Sequence, residues 1–218
     1  LVGEAGSGRQ ALARFTHEAG PRASAPFTSL VASSIPDDNP EAFLFGTGAD
    51  GSATPGVLDQ ARGGTLYVQE IEDLAPRVQR LLLGVVETGT FHRVGGTAQV
   101  GFNARIIATA QPGVEERAGT SGGLRRDLLA HLSAMLVRVP ALREYSEDVP
   151  DLLRFYVERM VDAEKLPLRR FSVAAQNRLR NYPWPDNLRE LRSLVRRMLV
   201  RGGPEEIRLE EIETELVA

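Results

Sequence analysis

The first ten residues, Leu1-Val-Gly-Glu-Ala-Gly-Ser-Gly-Arg-Gln10, constrain this chain more than any other stretch. Two apolar residues run into a turn with glycine at positions 3, 6 and 8, and a helical pattern then extends from Gln10 to Ala19. Strand, glycine-rich turn and helix in that order make a phosphate cradle, because the N–H groups of the turn and the free donors of the helix N-terminus converge on an anion. Such loops normally carry a lysine whose ammonium reaches the β and γ oxygens, and here Arg9 holds that place. A guanidinium keeps the charge but is bulkier, planar and forked, so it does not reproduce a compact ammonium in a tight site. Leu1-Val2 reads as the tail of a strand, an element that normally runs about 5–6 residues. On that reading the chain is expected to be a fragment of a longer protein.

The 218 residues, 42% hydrophobic and 25% charged, suffice for one substantial core and a small second domain. A net charge of −3 offers nucleic acid no overall attraction, although arginine is heavily used, clusters late, and leaves Lys165 as the single lysine. Absence of cysteine excludes disulfides and thiolate metal sites. No apolar run approaches the roughly 20 residues that span a membrane, so no membrane partner and a cytoplasmic protein are the expectations.

Strand-like runs at Phe27–Val31, Thr65–Gln69, Arg105–Ala110 and Met135–Val139 alternate with helical patterns that include Gln10–Ala19, Val78–Val86 and Val149–Val161. That alternation predicts a parallel α/β sheet. Phe91–Val94 against Ala98–Phe102, around Gly95-Gly96, reads as a hairpin. After Pro140 the strand signals stop, and from Ser146 the pattern is helical, broken at Pro167 and at Tyr182-Pro-Trp-Pro185. The predicted division is an α/β core over residues 1–140, its first strand truncated, and an all-helical lid over 141–218.

Six segments then occur in a telling order: Gly3–Gln10; Phe45-Gly46; Gly63-Gly-Thr-Leu-Tyr-Val-Gln-Glu70-Ile; Phe91-His-Arg-Val-Gly-Gly96; Leu124-Arg-Arg-Asp-Leu128; and Trp184-Pro-Asp-Asn-Leu-Arg-Glu-Leu191. Together they resemble the central AAA+ domain of sigma-54-dependent transcriptional activators, the bacterial enhancer-binding proteins, over nearly the whole chain. The resemblance implies an AAA+ P-loop NTPase-like sheet with a C-terminal helical lid, and a nucleotide crevice between the loop, Glu70 and Arg189 at the carboxyl ends of the strands.

Position by position, the resemblance assigns nucleotide contacts to Gly3, Glu4, Gly6, Ser7, Gly8, Arg9, Gln10, Gln111 and Arg189, with Arg9 and Gln10 departing from the family's lysine and acid. The catalytic pair Asp-Glu becomes Gln69-Glu70, so the water-activating carboxylate stays and the metal-holding one is gone. Mg²⁺, a hard cation that favours carboxylate oxygen, is therefore not expected, nor is any other metal. The family's sensor asparagine is replaced by Gln111. Of the two arginines that reach a neighbouring subunit, Arg125 stands, vestigial if the site is inactive, and His131 occupies the second place. The sigma-contacting GAFTGA loop is replaced by the shorter Gly46–Gly56, which reads as a plain surface turn.

Bland readings exist for each residue. Arg9 could be a solvated helix-end residue, and Glu70 a surface carboxylate beside Glu72 and Asp73. Arg125 with Arg126, and Arg189 with Arg192, Arg196 and Arg197, could be exposed helical charge. His131 could be packing, and Trp184 a core or interface anchor. Taken together, the expectation is a degenerate AAA+ domain of a transcription regulator, of two-component type, acting as an oligomerising or nucleotide-sensing module with little or no ATPase activity. Its cofactor would be ATP, ADP or another nucleotide. Its partners would be copies of itself, RNA polymerase holoenzyme through the full-length protein, and DNA through a helix-turn-helix outside this chain. The alternatives are an active ATP-dependent activator domain and a module for a cyclic dinucleotide, whose phosphates suit arginines without Mg²⁺.

Overall fold

Thr65, Leu66, Tyr67 and Val68 are all buried, the mark of a strand covered on both faces, and this run is the middle of a three-stranded parallel sheet. The computed structural model describes residues 1–48 and 53–217. They form two compact units, one of Leu1–Gly3 with Arg9–Arg138 and one of Glu4–Gly8 with Val139–Ala218.

In the first unit the elements run α1 (Arg9–Glu18), β1 (Phe27–Val31), α2 (Pro40–Phe45), α3 (Val57–Gln60), β2 (Thr65–Gln69), α4 (Pro76–Thr88), β3 (Thr90–His92), β4 (Gln99–Gly101), β5 (Arg105–Ala108), α5 (Val114–Arg117) and α6 (Arg126–Leu132). β2 pairs in parallel with β1, Phe27 opposite Thr65, and with β5, Thr65 opposite Arg105. Its entry needs a residue without a side chain, since a Cβ on Gly64 would overlap the Pro26 carbonyl oxygen. Helix α4 starts with Pro76 at its first position, where proline's fixed φ fits and its missing N–H costs nothing, and buries Val78, Leu82, Leu83 and Val85. β3 and β4 form the expected antiparallel hairpin, with Phe91 opposite Val100 and its ring stacked on Phe45 at 5.5 Å.

Two local expectations change. The run Met135–Val139 is not a strand: it is reduced to one parallel bridge between Arg138 and Val2, because Val2 is the residue alongside to pair with it. Val2 also bridges Ala110, and its amide donates to the Val137 carbonyl at 2.9 Å while the Gly3 amide donates to Ala110 at 3.1 Å. The segment Gly46–Gly56 is more than a plain turn at its base, where Thr47 and Thr54 exchange backbone hydrogen bonds of 3.0 and 2.8 Å and Thr47 also bridges Val94. Residues 49–52 of that segment lie outside the described residues.

The second unit contains α7 (Val149–Glu164), β6 (Arg170–Phe171), α8 (Val173–Arg180), α9 (Asn187–Arg201), β7 (Glu206–Ile207) and α10 (Leu209–Val217). It is not all-helical, because β6 and β7 pair in parallel, Phe171 opposite Ile207. α9 buries Leu191, Leu194, Val195, Met198 and Leu199, a spacing that places them on one helical face. Trp184 is fully buried in this core, and its indole N–H donates to the Leu179 carbonyl at 3.0 Å. Arg169 is buried as well, its charge met by Glu211 at 2.8 Å and by the carbonyls of Met198 and Pro204. Among the described residues no helix is long and apolar enough to cross a membrane.

Candidate functional site

In the first unit the site centres on Arg9 and Glu70. Arg9 opens α1 and is only 6% exposed, so it is not a solvated helix end. Its guanidinium forms a forked pair with Glu70, Nη2 to Oε1 at 2.5 Å and Nη1 to Oε2 at 3.1 Å, and Nη1 also donates to the Ala110 carbonyl at 2.8 Å. The planar fork of arginine matches a carboxylate in a way an ammonium does not.

Glu70 follows β2 and has a left-handed backbone, φ 50° and ψ 62°. A non-glycine residue there costs about 1–3 kcal/mol unless its surroundings hold it. They do: its amide donates to Thr109 Oγ1 at 3.1 Å, and its carboxylate takes Arg9 and a further contact from Gln111 Nε2 at 3.4 Å. Gln111 is itself positioned by Glu72, whose Oε1 accepts the Gln111 amide at 2.6 Å. Glu72 thus positions Gln111 and is not a surface carboxylate. Burial pushes the Tyr67 phenol of β2 up, beside Thr109 and within the field of Arg9 and Glu70.

The two residues at the end of β2, Gln69 and Glu70, are both engaged by side chains. Gln69 spends its amide on Ser29 Oγ at 2.8 Å, and both Glu70 oxygens face a guanidinium. Among the described residues no cluster of three or more His, Asp or Glu could hold a metal.

Arg125, at the start of α6, has its amide held by the buried Gln79 at 2.8 Å. Its guanidinium is paired with Asp127 at 2.9 and 2.5 Å, which raises the arginine's affinity for its proton and holds the Asp127 carboxyl below the usual range. His131 is not packed; it is exposed, with Nε2 at 3.5 Å from Glu87.

In the second unit the loop residues are fixed by Arg143 and Asn187. Arg143 donates twice to Glu4, at 2.8 and 2.5 Å, and Asn187 Nδ2 donates to Glu4 at 3.1 Å and to the Ala5 carbonyl at 3.0 Å. The Arg143 and Asn187 hydrogen bonds lower the Glu4 carboxyl to about 2. Gly6 has φ 73°, and a Cβ there would overlap the Asp186 carbonyl oxygen, so the turn accepts glycine alone. Ser7 is 4% exposed and its hydroxyl meets no partner among the described residues, an open donor in a phosphate-type turn. Arg189 is exposed on α9 and forms no ion pair among the described residues. Gly3 is buried and Gln10 is exposed on α1.

Sequence reasoning missed Arg143, Asn187, Glu72 and Thr109 as positioning residues. Only Asn187 carried a signal, an asparagine directly ahead of a helical pattern; Glu4 and Arg143 are 139 positions apart.

The comparisons with known proteins agree with this architecture. The Sigma-54 interaction domain profile matches residues 1–138, and the AAA+ ATPase lid domain profile matches 143–218. The DNA-binding transcriptional regulator NtrC of Rhizobium meliloti is 36% identical over 222 residues, 99% of this chain and 45% of the relative. NtrC of Escherichia coli K12 is 38% identical over 225 residues, 99% and 47% respectively. NtrX from Brucella abortus, solved in complex with ADP and with ATP, superposes with TM-scores of 0.86 and 0.87 at 33% identity, covering 96% and 97% of this chain and 48% and 49% of those chains. The chain spans about half the length of these relatives. The two matches together cover nearly the whole chain, which belongs to the Sigma-54 interaction domain family of AAA+ proteins.

Proposed function

We propose that this chain is the AAA+ module of a bacterial transcription regulator, that it binds ADP, ATP or another nucleotide, and that it turns ATP over negligibly. The observation that carries the reading is Gln69, whose neutral amide stands where a metal-holding carboxylate is called for and donates to Ser29; in the ligand-free site the one carboxylate placed to activate water also has both oxygens on the Arg9 guanidinium. A general base must be free to accept a proton in the transition state. Gln69 adds no charge to hold a metal, and Arg125 is turned onto Asp127. Loss of a correctly placed arginine alone lowers phosphoryl-transfer rates by about 10³–10⁵.

Nucleotide binding is supported by the open Ser7 hydroxyl, by the positive-φ glycines 6 and 8, and by the relatives solved with ADP and ATP. On this reading the module works as a sensor or assembly element. DNA contact comes from a helix-turn-helix elsewhere in the full protein, and polymerase contact from that protein as a whole. The test is steady-state ATPase activity with Mg²⁺. No turnover above background is expected; turnover abolished by Glu70→Gln would show an active enhancer-binding-type ATPase instead.

A further inference from the structure

The Arg9–Glu70 pair has a second property besides removing a base. Arg9 is the buried cation at the start of α1, the place from which a P-loop's basic residue reaches phosphate, and both its Nη groups are already engaged. Nη2 is on Glu70 Oε1, and Nη1 is shared between Glu70 Oε2 and the Ala110 carbonyl. A guanidinium has five donors, and those in the fork are the ones that take a carboxylate or phosphate in two-point fashion. Glu70 also sits in a left-handed backbone conformation that its neighbours must hold, and Thr109 and Gln111 aim it back toward Arg9. Glu70 is therefore placed as an anion on an anion-binding group.

We infer that Glu70 is an internal competitor for the ligand of this site: its carboxylate occupies the Arg9 donors that a nucleotide phosphate requires, and ligand binding exchanges one anion for the other. The inference rests on the nucleotide-binding reading and adds to it which residue sets the affinity. Arg9 meets one anion before binding and another after it. A carboxylate carries a single charge and a terminal phosphate carries more, which gives the phosphate the advantage once Glu70 swings away. The affinity is accordingly the difference between two arginine–anion interactions, and weakening the one with Glu70 raises it.

The test is equilibrium binding of ADP, and separately of inorganic pyrophosphate, to the purified chain in EDTA, by calorimetry over concentrations up to several millimolar. ADP has no γ-phosphate to lose, so hydrolysis does not distort the measured affinity. Glu70→Gln keeps the shape and removes the charge, and is expected to bind ADP at least about tenfold more tightly than the natural chain. Arg9→Gln is expected to lose binding. Glu70→Ala controls for residual hydrogen bonding by the glutamine amide and should behave like Glu70→Gln. Pyrophosphate following the same order assigns the effect to phosphate, whereas a gain confined to ADP would overturn the exchange at Arg9. Equal binding by the natural chain and both Glu70 variants would overturn the competitor while leaving nucleotide binding intact. No binding by any of them would overturn both readings. Thermal unfolding of each apo protein separates a lost fold from a lost site.

Discussion

Arg143 places two N–H groups on the two oxygens of Glu4, at 2.8 and 2.5 Å, and so fixes one end of the glycine-rich turn to the helical unit. The Glu4 carboxyl is lowered to about 2 by Arg143 first and Asn187 second. Because the folded value lies below the ordinary 4.5, the stabilisation is complete above about pH 4.5 and is lost as pH falls through about 2. Carboxyl carbon NMR should place the Glu4 midpoint near 2, and Arg143→Gln should move it upward. A midpoint of 4.5 in the natural chain would contradict the pairing.

Trp184 predicts the largest loss of stability in the helical unit. Its side chain is fully buried and its N–H is paired with Leu179. Trp184→Ala should cost about 3–5 kcal/mol, the usual range for truncating a buried aromatic residue. Trp184→Phe keeps most of the packing and forfeits the hydrogen bond, worth about 1 kcal/mol. Urea unfolding would order the natural chain and the two variants; equal midpoints for Trp184→Ala and Trp184→Phe would show that packing does not dominate.

Sigma-54 polymerase should not be activated by this module. The segment Gly46–Gly56 is closed at its base by the Thr47–Thr54 pairing, and it contains no aromatic residue with which to reach a partner. Pull-down of sigma-54 with the purified chain, with ATP and a transition-state analogue, should recover none. Retention that depends on the analogue would overturn the expectation.

Assembly should be weak. The Arg125 guanidinium is tied to Asp127 on its own helix, and ligand held at a subunit interface is what stabilises an assembled ring by mass action. Sedimentation at micromolar concentration should report a monomer or a weak dimer. A stable hexamer without nucleotide would mean that the interface needs neither the arginine nor a ligand.

Much of the fold was legible because its signals are local. Phe27–Val31 and Thr65–Gln69 match β1 and β2, being short β-branched and aromatic runs bounded by proline and by Gly63-Gly64. Met135–Val139 has a similarly apolar composition, yet a strand is a relation between two chains of residues and Val2 supplies only one bridge. The pair β6 and β7 escaped notice because two residues each carry no periodicity. At the site, Arg9 and Gln69 stand in the sequence where the resemblance leads one to expect a lysine and a carboxylate. That Arg9 would turn onto Glu70, 61 positions away, could not be read there, since pairing across a sheet is set by tertiary placement.

Asn187 shows how narrowly one position can be specified. Its backbone has φ 53°, its Oδ1 accepts the Leu142 amide at 2.8 Å, and its Nδ2 serves Glu4 and Ala5. Glycine would adopt that backbone and supply neither group. Aspartate would offer the acceptor but set a second carboxylate against Glu4. Glutamine has both groups on a stem one methylene too long for a site with no exposed surface. Among natural side chains only asparagine meets all three demands, so random mutagenesis with selection for a folded, loop-ordered protein should return this codon almost unchanged while its exposed neighbour Arg189 drifts.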